Sequence, residues 1–142
     1  MYHIRNRQVH LDFHTSALIE GIGSQFDPEQ LRACLQKAHL QSITFFAKCH
    51  HGVGYFPSKT IPMHPHLKFD LLSAQRKICA EEGIESPIYI SAGFDEHYFM
   101  EHPDHMRICP EADKLKVEVA EKDGVKYAVD RPRYHELCMN TP

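Results

Sequence analysis

Ser42-Ile43-Thr44-Phe45-Phe46-Ala47-Lys48-Cys49, followed by His50-His51-Gly52, is the stretch that decides the fold. β-Branched and aromatic residues succeed one another without alternation, as expected of a strand covered on both faces and unlike the in-out pattern of a half-exposed one. A central parallel strand over 42–49 needs a crossover helix on each side of it in sequence, and both are present. Upstream, Asp27-Pro28-Glu29-Gln30 offers an N-cap, a proline at the first helical position and a Gln at the third. Leu31, Cys34, Leu35 and Ala38 then recur at helical spacing, leaving Arg32, Gln36 and Lys37 for water. Downstream, a loop rich in Gly, Pro and His over 50–66 leads to Asp70 as a cap, to Leu71, Leu72, Gln75, Ile78 and Cys79 on one helical side, and to Gly83 as a stop.

Working outward, Gln8-Val9-His10-Leu11-Asp12-Phe13-His14 alternates, with Val9, Leu11 and Phe13 on an apolar face and His10, Asp12 and His14 on a polar one. Pro87-Ile88-Tyr89-Ile90-Ser91-Ala92-Gly93 reads as a third strand. The order β-α-β-α-β with right-handed crossovers predicts a parallel sheet in an α/β fold. Residues 94–113 read as a polar loop. Asp123-Gly124 between two alternating runs, Leu115–Ala120 and Val125–Val129, predicts a β-hairpin inserted over about 114–130.

Composition narrows the function. A chain of 142 residues, 42% apolar, is one domain's worth or less and can build an ordinary core. Sixteen basic against nineteen acidic residues give a net charge of -3, with no basic field for a phosphate backbone, so nucleic acid is not an expected partner. No apolar run approaches a membrane span and the amino terminus has no secretory pattern, so a soluble, cytoplasmic chain is expected. Five cysteines without a C-x-x-C pair fit neither a disulfide framework nor a zinc module and read as reduced thiols, mostly in the core. Twelve histidines accompany no tryptophan. Half-protonating all of them near pH 6.5 would carry the net charge from -3 to about +3.

Ligands of parallel α/β folds lie at the carboxyl ends of the strands. That rim receives Asp12 and His14 from the first strand, Lys48, Cys49, His50 and His51 from the second, and Asp95, Glu96, His97 and Tyr98 after the third. Neighbours on an extended strand point to opposite faces, so one of His50 and His51 is expected to reach the pocket, and His50 is the choice. A competing metal reading uses His10, Asp12 and His14, with His64 and His66 nearby, since imidazole and carboxylate suit zinc, iron or manganese. Cys49 beside His50 and Lys48 is a weaker candidate nucleophile. No Gly-rich phosphate loop occurs, because Gly21-Ile22-Gly23 has no third glycine.

His10-Leu11-Asp12-Phe13-His14-Thr15-Ser16, Phe45-Phe46-Ala47-Lys48-Cys49-His50-His51-Gly52, His64-Pro65-His66-Leu67, Asp70-Leu71-Leu72 and Leu137-Cys138-Met139-Asn140-Thr141-Pro142 resemble the amino-terminal barrel segment of a hypothetical glycoside hydrolase family related to α-L-fucosidases, whose members often carry a β-galactosidase-type trimerisation domain. The resemblance covers residues 7–142. It implies a (β/α)8 barrel of which this chain, 1–142, holds the first three βα units plus the hairpin, the remainder being absent. It implies a carbohydrate substrate, hydrolysis of O-glycosidic bonds, no cofactor and no resident metal. Any oligomer would then form through the missing part. His14 matches the first-strand histidine that fucosidases direct at the sugar, and His50 matches the second histidine of their second-strand pair. Cys49 and His51 stand where the second-strand A-K-H-H-D-G-F segment of α-L-fucosidases has its first histidine and its aspartate, and Phe94 replaces a tryptophan that relatives carry before Asp95-Glu96. The substrate-binding set is therefore His14, Lys48, His50, Phe94, Asp95 and Glu96, with Tyr55 and Tyr98 as further platforms for a sugar ring. Glycoside hydrolysis needs two carboxylates, about 5 to 5.5 Å apart for retention and about 6.5 to 9.5 Å for inversion. The nucleophile is expected beyond residue 142, with Asp95 and Glu96 as candidates for the other role, so the chain alone should not turn over a nitrophenyl glycoside. A metal-dependent hydrolase and a non-catalytic carbohydrate-binding domain are the alternatives.

Overall fold

The structure, a computed structural model, describes residues 5–102, 119–122 and 125–128. The chain divides into two compact units, Met1–Pro103 and Asp104–Pro142. In the first, the elements run β1 (Gln8–His10), α1 (Pro28–Lys37), β2 (Ser42–Lys48), α2 (Leu71–Glu81), β3 (Ile88–Ile90) and α3 (Glu96–Glu101). The strands form one parallel sheet with β2 in the middle, Gln8 beside Ser42 and Phe45 beside Ile88. The central parallel strand is thus where the 42–49 stretch puts it.

Side chains of β2 divide between two cores. Ile43, Phe45 and Ala47 pack with Leu35 of α1, Leu72, Ile78 and Cys79 of α2, and Ile84. Phe46 joins a second cluster with Cys49, Val53, Tyr55, Leu67 and Leu71. Burying each such side chain contributes roughly 1.5–3 kcal/mol. This coverage on both faces is why the strand shows no alternation in sequence.

Both helices start at the expected caps. Asp27 Oδ1 accepts the amides of Glu29 at 2.9 Å and Gln30 at 3.0 Å, and Pro28 occupies the first turn. Asp70 Oδ1 accepts the Ser73 amide at 2.8 Å. Each cap is worth about 1 kcal/mol. Gly83, at φ 67°, ends α2 and lets the Ile84 amide donate to the Cys79 carbonyl at 2.8 Å. The buried stripe of α1 is narrower than its spacing implies, because Cys34 and Ala38 are exposed. Arg32 and Gln36, assigned to water, instead cross to the end of α2. Arg32 pairs with Glu82 and, at 2.6 Å, with Glu81, while Gln36 Nε2 donates to Glu82 at 2.7 Å. Hydrogen bonds from Gln36 and Arg32 hold the Glu82 carboxyl below its ordinary range.

Two strands are shorter than expected. β1 stops at His10, with the Leu11 amide donating to Thr44 O at 3.3 Å as a last rung, and Leu11 is 42% exposed. The alternation of 8–14 therefore does not extend to Asp12 and His14, which lie on the segment after the strand. β3 keeps only Ile88–Ile90, its partner shifting register between Phe46 and Lys48. The stretch read as a polar loop from 94 opens with a helix, α3, capped by Asp95 Oδ1 on the Tyr98 amide at 2.9 Å.

In the second unit, β4 (Val119–Lys122) and β5 (Val125–Ala128) pair antiparallel, Lys122 beside Val125. Residues 115–118, Val129 and the Asp123-Gly124 dipeptide lie outside the described residues. Among the described residues no helix is long and apolar enough to cross a membrane.

Candidate active-site rim

His14, after β1, and His50, after β2, stack with ring centroids 3.9 Å apart and planes 19° from parallel. The His50 amide donates to His14 Nδ1 at 3.3 Å, so His14 carries its ring proton on Nε2, which faces Asp12 Oδ1 at 3.3 Å. Below them lies an aromatic floor absent from the candidates read from sequence. Phe46 stacks on Tyr89 at 4.3 Å, and His14 meets both edge-on at 4.9 and 5.7 Å. Burial, with His14 and His51 adjacent, lowers the His50 pKa. His50 is therefore a neutral ring near pH 7.

Lys48, ending β2, sends Nζ to Asp95 Oδ2 at 2.5 Å and to the Ser91 carbonyl at 3.1 Å. The pair is little exposed, 12% for the Lys48 side chain and 20% for that of Asp95. Burial raises the Asp95 pKa, but the Lys48 ammonium and the Tyr98 amide outweigh it and hold the carboxyl below its usual range. Lys48 and Asp95 thus engage one another, a partnership the sequence reading did not foresee. Gly52 makes it fit. Its φ is 83°, and a Cβ there would fall far inside contact with Asp95 Oδ1 and 2.6 Å from His97 Cβ. Amides of α3 complete a latch, Glu96 N donating to His50 O at 2.9 Å and His97 N to His51 O at 3.3 Å.

The chain turns after Lys48, with the Gly52 amide donating to Cys49 O at 3.1 Å. The extended-strand rule therefore fails at the histidine pair, whose rings lie 4.3 Å apart. His51 Nδ1 meets Glu96 Oε2 at 2.5 Å. The structure brings together His14, Lys48, His50, Asp95 and Glu96 through these contacts. Phe94 is half exposed, and its engaged group is the carbonyl, which accepts from Ser91 Oγ at 2.8 Å. A cleft of about 390 Å³ opens beside the latch, lined in part by Lys48, Gly52, Ile61, Ile90, Asp95 and Tyr98.

Other expectations are corrected. Tyr55 is buried, its hydroxyl donating to Phe13 O at 2.6 Å and meeting Thr15 Oγ1 at 2.6 Å, so it cannot be a sugar platform. Cys49 is buried with Sγ 3.7 Å from Thr15 O, a packing thiol. The metal reading fails on geometry, since His10 packs edge-on against Phe46 at 5.3 Å and Asp12 pairs with His14. Among the described residues no three His, Cys, Asp or Glu side chains are placed to hold a metal ion. His64 is structural. Nε2 is 2.9 Å from Ser16 O, Nδ1 accepts the His66 amide at 3.2 Å, and burial lowers its pKa.

Comparison with known proteins gives two likenesses. The family model described as hypothetical glycosyl hydrolase 6 matches residues 27–142. The solved structure of α-L-fucosidase isoenzyme 2 from Paenibacillus thiaminolyticus is similar with a TM-score of 0.69 and 55% identity, over 70% of this chain and 15% of that one. The chain thus spans about a seventh of the fucosidase it resembles. No curated protein matches.

Proposed function

The chain belongs to the hypothetical glycosyl hydrolase 6 family, and we propose that its rim is the sugar-binding edge of a fucosidase-like glycoside hydrolase. Its three parallel strands are the first of a (β/α)8 barrel, and the antiparallel pair β4–β5 is an insertion into the loops of that barrel. The observation carrying the reading is the His14–His50 stack at the carboxyl ends of adjacent parallel strands, where such folds bind ligands. An imidazole pair whose His14 ring stands on an aromatic floor suits a polyol, which presents hydroxyls as both donors and acceptors and no net charge. Free thiols, Cys49 and Cys79 buried and Cys34 exposed, fit the reducing interior of a cell.

The latch divides the rim's labour. Asp95, held ionised by Lys48, is unsuited to donate a proton to a leaving group, because a general acid needs a raised pKa. Lys48 and Asp95 therefore maintain the rim, His14 and His50 contact the sugar, and the catalytic carboxylates come from elsewhere in the barrel. Calorimetric titration with L-fucose tests this. Binding by the unaltered protein, weakened about tenfold by His50→Ala and by His14→Asn, is expected for the loss of one buried hydrogen bond each. Binding that neither substitution alters refutes it.

A further inference from the structure

We infer that His51, oriented by Glu96, is a specificity-determining residue of the rim whose bare Nε2 accepts a hydrogen bond from a substrate hydroxyl. This rests on the reading of the rim as a sugar site. His51 Nδ1 lies 2.5 Å from Glu96 Oε2, and an ionised carboxylate only accepts, so Nδ1 carries the proton and donates. In the neutral tautomer that this contact favours, the lone pair lies on Nε2. That nitrogen has no protein partner among the described residues, and no buried side-chain nitrogen or oxygen there lacks one, so Nε2 meets solvent.

His14 is the opposite tautomer. Its Nδ1 is occupied by the His50 amide and its Nε2–H faces Asp12. The row Asp12–His14–His50–His51–Glu96 thus has a carboxylate at each end, with ring spacings of 3.9 and 4.3 Å between. The two outer imidazoles present unlike hydrogen-bonding edges, a donor shared with Asp12 at His14 and an acceptor at His51. Such a row discriminates between ligands by which hydroxyl can donate and which can accept.

His51 is also held from the backbone. Its carbonyl accepts the His97 amide, the His50 carbonyl accepts the Glu96 amide, and the Gly52 backbone that follows leaves no room for a side chain. Glu96 therefore acts on both sides of the pair, by its amide on His50 and its carboxylate on His51. It is a positioning residue, since it reaches the ligand only through His51. A hydroxyl donating to Nε2 would strengthen the Nδ1–H···Glu96 bond in turn, because hydrogen bonds in a chain polarise one another.

The test is nitrogen-15 NMR of the imidazoles of the full chain, with L-fucose as the probe. In the unaltered protein, His51 is expected to show a protonated Nδ1 and a bare Nε2, and His14 the reverse. Glu96→Ala should abolish the His51 preference while leaving that of His14, a change that a purely structural role for Glu96 would not produce. L-Fucose should shift the His51 Nε2 signal. His51→Phe should weaken L-fucose about tenfold, and His51→Gln, whose Oε1 can accept near the same place, should recover part of the loss. A His51 protonated on Nε2, or L-fucose binding unaffected by His51→Phe, overturns the inference while the sugar reading stands. No L-fucose binding by the unaltered protein, with the tautomers as stated, overturns the sugar reading and the proposed ligand together.

Discussion

Gly52→Ala is the perturbation that probes the latch most sharply, and Gly83→Ala is its built-in control. Both glycines have positive φ, 83° and 67°, so alanine at either carries a backbone penalty of about 1–2 kcal/mol, partly offset by reduced freedom of the unfolded chain. They differ in surroundings. A Cβ at Gly83 meets nothing within 4 Å, whereas at Gly52 it collides with Asp95 Oδ1 and lies 2.6 Å from His97 Cβ. Relieving the collision means withdrawing Asp95 from Lys48 and the Tyr98 amide, bonds to a charged group worth about 1.5–3 kcal/mol. Gly52→Ala should therefore cost about 3 kcal/mol and Gly83→Ala about 1 kcal/mol. In urea, with a slope of about 1.5 kcal/mol/M, the midpoints should differ by more than about 1 M. Repeating Gly52→Ala in an Asp95→Ala background should recover at least about 1 kcal/mol, since the two residues are in contact. Equal costs for the two glycines, or strict additivity with Asp95→Ala, would refute the latch.

Further outcomes follow from the same contacts. His50 and His64 have folded-state pKa values below the unfolded value of about 6.5, so the unfolded chain binds more protons on acidification. Stability present above pH 6.5 is then lost as pH falls through their folded-state values, a slope that His64→Gln should reduce in urea melts between pH 7.5 and 5. Tyr55→Phe leaves the Phe13 carbonyl without its 2.6 Å donor and should cost about 1–3 kcal/mol by the same measurement. Phe46→Ala empties the floor beneath His14 and should cost about 3–5 kcal/mol. A loss under 1 kcal/mol would show that Phe46 supports no packed layer.

The parts of the fold legible in sequence were those with a local chemical cause. The Asp27 and Asp70 caps, the Gly83 stop and the unalternating β2 each follow from residues within a few positions of one another. The lengths of β1 and β3 do not, because they depend on how far each strand finds a ladder on β2, and Leu11 shows the ladder running out. Arg32 misled for a related reason, since its partners Glu81 and Glu82 sit at the end of another helix. At the rim, the residue types were legible and their partnerships were not. Lys48 and Asp95 are 47 positions apart, and nothing local announces that they neutralise one another. Gly52 was the available signal, a glycine directly after paired histidines where a chain must turn under a close neighbour. Helix α3 is only six residues long, too short for any periodicity to show.

The central claim, that His14 and His50 form a sugar-facing edge, is tested most directly by following all imidazole carbon-bound proton signals during titration with L-fucose. Saturable shifts are expected at His14, His50 and His51, with the exposed His39 just after α1 and the buried His64 unmoved. Shifts spread evenly over the histidines, or confined to His39 and His64, would contradict it.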